Sequence, residues 1–173
     1  FQQNSDARNL SAIRNIFSGI LLLYKEKLRR LSPTGSDEVL IKARIAVKLD
    51  ENNELTFVGE GKKTVDVIEI KKRFKSLGIS TDWDRLEEIQ KVRKNLEHYQ
   101  LDGNVNILVE LINNCFTIIR NFLIDELDTD PLSIFDNDIW EVFLRNEEVL
   151  EQERNIVMAS YENSKLGHKI ECF

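Results

Sequence analysis

The chain has 173 residues, 42% of them hydrophobic and 31% charged, with two prolines; this is enough apolar material for one domain with a core and excludes an unstructured chain. A net charge of −6 excludes a protein that coats nucleic acid through bulk electrostatics. Two separated cysteines, Cys115 and Cys172, exclude a disulfide framework and fit a reducing cytoplasm.

From Asn9 to Leu31, the residues Ile13, Phe17, Ile20, Leu21, Tyr24, Leu28 and Leu31 recur at three-and-four spacing and predict one helix. Pro33 and Gly35 in "SPTG" end it. The apolar run "IFSGILLLY" is broken off by Lys25, and no run approaches the roughly 20 residues of a bilayer span, so a soluble protein is expected. The period then drops to two. Ile45, Val47 and Leu49 alternate with polar neighbours, "DENN" supplies turn residues, and Leu55 and Phe57 resume the alternation before Gly59. That pattern predicts a β-hairpin insertion over about 44–59.

"GEGKKT" (59–64) follows a strand and precedes a helix but is no phosphate loop, because its glycines are separated by one residue where the loop needs four. It reads as a hairpin exit with exposed lysines. A short helix over Asp66–Leu77 closes on Gly78. Asp84, with Glu87 three residues on, then forms a capping-box pattern that opens a helix reaching Tyr99.

After "LDGN", the residues Ile107, Leu108, Leu111, Ile112, Cys115, Ile119, Phe122 and Leu123 predict a helix for the middle of a bundle, with Cys115 an inert buried thiol. "DELDTDPLSIFDND" (125–138) has the charge of a calcium loop without its glycine or terminal glutamate, and reads as a linker. A last helix is expected over Asp138–Tyr161, with Trp140, Phe143, Leu144, Val149 and Leu150 turned inward. The fold class is mainly α, an antiparallel helical bundle with a small β-hairpin insertion, as one domain over 1–173. A chain running from Phe1 to Phe173 is consistent with a piece of a longer protein.

The charge is divided along the chain. Residues 1–94 hold 19 Lys+Arg against 14 Asp+Glu, a balance of +5, whereas residues 95–173 hold 5 against 16, a balance of −11. A polyanion is drawn to the first half, so RNA is expected across "KKRFK" (71–75) and "KVRK" (91–94), with Lys71, Lys72, Lys91, Lys94 and the adjacent Asn95 as substrate-binding candidates. The alternative is a pair of solvated helix faces.

Catalytic motifs are few. Two histidines 70 positions apart, His98 and His168, and no CxxC pair give no zinc site, and no GxSxG turn supports a serine nucleophile. No metal or cofactor is expected. Arg93 and His98 remain, near the end of the helix that starts at Asp84. Five residues on a helix turn through about 140°, so a straight helix does not aim the two at one spot. On the wheel Arg93 falls at the edge of the apolar stripe and His98 almost opposite it. Fraying at "HYQLDG", or a second copy sharing the site, would bring them together. A histidine poised near neutrality can then take a proton from a ribose 2'-hydroxyl while a guanidinium holds the phosphate. The alternative is an exposed helix-end histidine and a structural arginine.

"RKNLEH" (93–98), with four residues between its Arg and its His near the end of a helix, resembles the RX4-6H motif of the HEPN superfamily. The first helix "AIRNIFSGILLLYKEKLRRLSP", the hairpin insertion and "GEGKKTVDV" are similar to bacterial HEPN-type proteins, over about residues 8–160. The resemblance implies a HEPN-like bundle that dimerises through the motif helix and cuts RNA without metal, as a toxin or an anti-phage effector with an antitoxin or defence partner. It implies His98 as the general acid/base, Arg93 as the phosphate-stabilising residue, and Glu97 and Tyr99 in support. A catalytically inactive HEPN-like module that binds a partner protein or nucleotide is the other expectation. Lys94 stands where the family often has a small polar residue, and position 100 is Gln where some toxin members carry a modified tyrosine.

Overall fold

The computed structural model describes residues 2–36, 38–99, 105–146 and 148, without the side chains of 2–7, 9, 10, 96–99, 105 and 106. The chain divides into two units, Phe1–Asp130 and Pro131–Phe173. The division falls inside the acidic segment read as a linker.

The first unit is built on α1 (Gln2–Leu31), which begins seven positions before the predicted Asn9. Ile13, Phe17, Ile20, Tyr24 and Leu28 are all buried, one ridge at the predicted spacing. Leu31, expected inward, is exposed. Ser32 ends the helix: its hydroxyl donates to the Leu28 carbonyl at 3.0 Å and accepts from the Leu40 amide at 3.2 Å.

Strands β1 (Lys42–Leu49) and β2 (Leu55–Thr64) form an antiparallel hairpin with Val47 opposite Phe57 and Leu49 opposite Leu55. β2 continues five residues beyond the predicted end at Gly59, so "GEGKKT" is strand, not an exit loop. An irregularity between Lys42 and Arg44, with Gly61 at φ +78°, absorbs the extra residues. Arg73 ties the hairpin to the bundle, donating to the carbonyls of Leu40 and Lys42.

Helix α2 (Val67–Leu77) carries a capping box: Asp66 accepts from the Glu69 amide while the Glu69 carboxylate accepts from the Asp66 amide. Gly78 closes it in the left-handed region at φ +68°, as predicted. The capping box expected at Asp84 and Glu87 is not formed. Helix α3 (Trp83–Tyr99) starts one residue earlier, with the Asp82 carboxylate accepting from the Arg85 amide at 2.9 Å. Asp82 therefore holds the helix start that Asp84 was expected to hold.

Helix α4 (Val105–Asp125) completes the bundle. Its buried face includes Leu108, Leu111, Cys115, Ile118, Phe122 and Leu123, with Ile118 in the place expected for Ile119 and Ile107 exposed. The stretch Ile107–Asp125 is long and apolar enough to cross a membrane, with a mean hydropathy of 1.5, and half of it is buried inside the protein. Tyr24, Phe74, Trp83 and Phe122 join all four helices in one aromatic cluster, with ring centroids 4.7 to 5.8 Å apart. The Tyr24 hydroxyl lies 2.7 Å from Thr81 Oγ1, and burial pushes its pKa up to about 12. The first residues of the acidic segment belong to this unit: Glu126 pairs with Lys27 at 3.0 Å and accepts from the Ser80 amide at 2.9 Å, and Leu127 is buried.

In the second unit, a single 3-10 turn at Pro131–Ser133 precedes a helix described over 137–146. Phe135 and Trp140 stack at 6.2 Å, and Leu144, expected inward, is exposed. Val149, Leu150 and the rest of the predicted helix lie outside the described residues. The described architecture is thus mainly helical with one two-stranded antiparallel sheet.

Candidate functional site

Helical periodicity sorts the two basic runs. In "KKRFK", Phe74 is buried and Arg73 bonds the hairpin, which leaves Lys71, Lys72 and Lys75 exposed. In "KVRK", Lys91 and Lys94 are exposed while Val92 and Arg93 are half-buried. Lys71, Lys72, Lys91 and Lys94 then converge on one groove of about 570 Å³ between α2 and α3. Val67, Ile68 and Trp83 add apolar surface, and Glu87 and Gln90 complete the lining. Four of the five predicted substrate-binding residues are therefore brought together. Asn95 is exposed but does not line the groove.

The groove walls are joined by an ion pair. Lys71 Nζ of α2 lies 2.6 Å from the Glu87 carboxylate of α3, and the same Nζ is 5.5 Å from the Trp83 ring centroid. The hydrogen bond from Lys71 holds the Glu87 carboxyl below the usual carboxylate range. With four lysines and one glutamate, the lining carries a formal excess of three positive charges in a protein whose net charge is −6.

Arg93 faces elsewhere. One residue before Lys94, it lies about 100° round the helix. Its guanidinium carbon is 4.7 Å from the ring centroid of Phe17, a buried α1 residue, and its Nε is buried. Arg93 thus shares the inward face with Leu86 and Ile89 rather than the margin of the stripe.

The side chains of Glu97, His98 and Tyr99 lie outside the described residues. The helix backbone does extend through Tyr99, so it does not fray at the motif. Positions 87, 91, 94 and 98 are related by steps of four, three and four residues, and so fall on one stripe of α3. Position 98 extends the row that carries Glu87, Lys91 and Lys94, whereas position 93 is about 140° away.

Sequence reasoning missed Trp83. An aromatic at a helix start ordinarily packs in the core, and Trp83 does so in part, with its ring 5.7 Å from those of Tyr24 and Phe74. The available signal was its helical register, four residues before Glu87 and eight before Lys91.

Other chemistry finds little support in the geometry. Cys115 is buried, which pushes its thiol pKa up to about 12. Among the described residues, no group of three or more His, Cys, Asp or Glu side chains could hold a metal ion. Cys172 and His168 lie outside the described residues. Comparison with protein-family models, curated proteins and solved structures gives no match to this chain.

Proposed function

We propose that this chain is an RNA-binding protein and a metal-independent endoribonuclease of HEPN type, active as a homodimer. The observation that carries the proposal is the stripe on α3: the lysines that gather at the groove continue, in helical register, to position 98. Lys71, Lys72, Lys91 and Lys94 hold successive phosphates. His98 removes the proton from a ribose 2'-hydroxyl, whose oxygen attacks the adjacent phosphorus and expels the 5'-oxygen. The leaving oxygen gains a proton, so one strand ends in a 2',3'-cyclic phosphate and the other in a 5'-hydroxyl. Within one copy position 93 lies about 140° from position 98, so Arg93 of a second copy stabilises the charge on the phosphate, its half-buried guanidinium turning off its own copy's Phe17 ring to do so. Asn95 contacts the substrate, and Glu97 and Tyr99 serve this site in support.

A second reading rests on Arg93 itself. Its guanidinium over Phe17, with Nε buried, suits a structural side chain, as in a catalytically inactive module that binds a partner protein or nucleotide. Expression in a bacterial host separates the two. The nuclease arrests growth as a toxin or defence effector does, and leaves RNA fragments with 5'-hydroxyl ends, while His98→Ala does neither. Growth arrest that survives His98→Ala, or arrest without RNA breakage, favours the binding module.

A further inference from the structure

Beneath the lysines of the α2–α3 groove lies an apolar surface that phosphate binding does not use. Trp83 is half-buried: Tyr24 and Phe74 pack against it, and the rest of it lines the groove beside Val67 and Ile68. A binding site for phosphates alone needs no indole. A flat apolar surface rimmed by cations fits a ligand that is itself flat and apolar on one part and anionic on the next, which is the chemistry of a nucleotide in an unpaired strand. A duplex hides its base faces in the stack. An acidic peptide offers the charge, but only an occasional flat ring.

We propose that Trp83 is a stacking platform for one unpaired base of RNA, with the flanking phosphates taken by Lys71 and Lys91. This deepens the RNA-binding half of the preceding proposal and specifies single-stranded RNA as the ligand. Glu87 has a defined part in it. Its carboxylate, 2.6 Å from Lys71 Nζ, occupies the cation that a phosphate would claim, so RNA must displace it. The ion pair holds the Lys71 ammonium over the Trp83 ring in the absence of RNA, so a base stacking on that face displaces the ammonium from ring and carboxylate and hands it to a phosphate. Nothing in this arrangement depends on Arg93 or His98, so binding and cleavage can be scored separately.

The chain has two tryptophans, Trp83 and Trp140, and a Trp140→Phe protein keeps an aromatic ring beside Phe135 while leaving Trp83 as the sole indole reporter. This protein, bearing also His98→Ala to keep the strand intact, is titrated with short oligoadenylate, with inorganic polyphosphate and with an acidic peptide lacking aromatic residues. Saturable quenching of Trp83 emission by oligoadenylate is the expected result, with polyphosphate competing for the groove without quenching. Trp83→Leu should weaken oligoadenylate binding by about 5- to 150-fold, the equivalent of one stacked base, and Trp83→Phe by less. Because Trp83→Leu also touches the aromatic cluster, Glu87→Gln serves as the variant outside the core and should tighten binding. Oligoadenylate binding that leaves Trp83 emission unchanged overturns the proposal. So does an absence of oligoadenylate binding, or quenching by the peptide equal to that by RNA, which would identify a protein partner. Cleavage by the His98-bearing protein without quenching removes the platform and leaves the nuclease standing; quenching without cleavage does the reverse.

Discussion

Arg93 lies on the inward face of α3 with its guanidinium over the Phe17 ring, and removing the ring separates its two possible roles. Phe17→Leu keeps an apolar side chain but removes the cation–π contact, worth about 0.5–2 kcal/mol. We expect it to lower the melting temperature and leave cleavage intact, whereas Arg93→Ala lowers both, with cleavage falling on the order of 10²-fold. Equal loss of activity in the two variants would show that Arg93 acts only through the fold. Tyr24 gives a stability prediction from its pKa. A phenol raised from 10.0 to about 12 by burial stabilises the fold fully below pH 10, and that contribution disappears as pH rises through 12. Cys115, raised from 9.0 to about 12, adds to the same alkaline loss. Stability measured across this window should fall less steeply in Tyr24→Phe, although losing the bond to Thr81 lowers its starting value; an unchanged slope would contradict the assignment. At this scale the sequence singled out Arg93 and His98 as candidates by residue type. It did not make Arg93's direction legible, since a cation on a buried stripe is indistinguishable from one at its margin until the ring beneath it is known.

Helix starts and strand ends were only partly legible, for identifiable reasons. Asp66–Glu69 and Asp84–Glu87 have the same capping-box spacing. The first forms the box; in the second, Glu87 is taken by Lys71 across the groove and Asp82 caps the helix instead. A local pattern cannot anticipate a partner 16 residues away in another helix. The hairpin was legible as far as Gly59, where alternation stops, but the strand continues to Thr64, which pairs with Lys42. Gly59 marks a close approach rather than a strand end: a Cβ there would lie 2.5 Å from Lys42 Cγ and 3.1 Å from the Glu38 carbonyl oxygen. Gly59→Ala should therefore shift Lys42, weaken its 2.8 Å pairing with Glu38 and speed amide exchange in β1, with the α1 amides unaffected. Exchange unchanged in β1 would mean that the hairpin absorbs the methyl group without strain. On α4 the apolar face was legible in its direction, with Leu108, Leu111, Cys115, Phe122 and Leu123 buried as expected, but of the adjacent isoleucines at 118 and 119 only packing selects Ile118.

Across the whole chain, the division of charge had the most predictive content. The basic half was expected to present a face for a polyanion, and four of its lysines share one groove. Composition could not reveal that the groove has an indole in its wall, or that the row of lysines and position 93 occupy different faces of α3. That separation makes both dimerisation and a turn of Arg93 off its own copy's Phe17 ring part of the proposed mechanism, since each copy presents position 98 with the lysines and sends Arg93 toward α1. The most direct measurement is cleavage of single-stranded RNA by the purified protein in EDTA, wild type beside His98→Ala, with the product ends identified. The wild type should leave 2',3'-cyclic phosphate and 5'-hydroxyl ends, and His98→Ala should cut at a rate lower by about 10²-fold or more. Cleavage that disappears in EDTA and returns with magnesium, or that persists undiminished in His98→Ala, would contradict it.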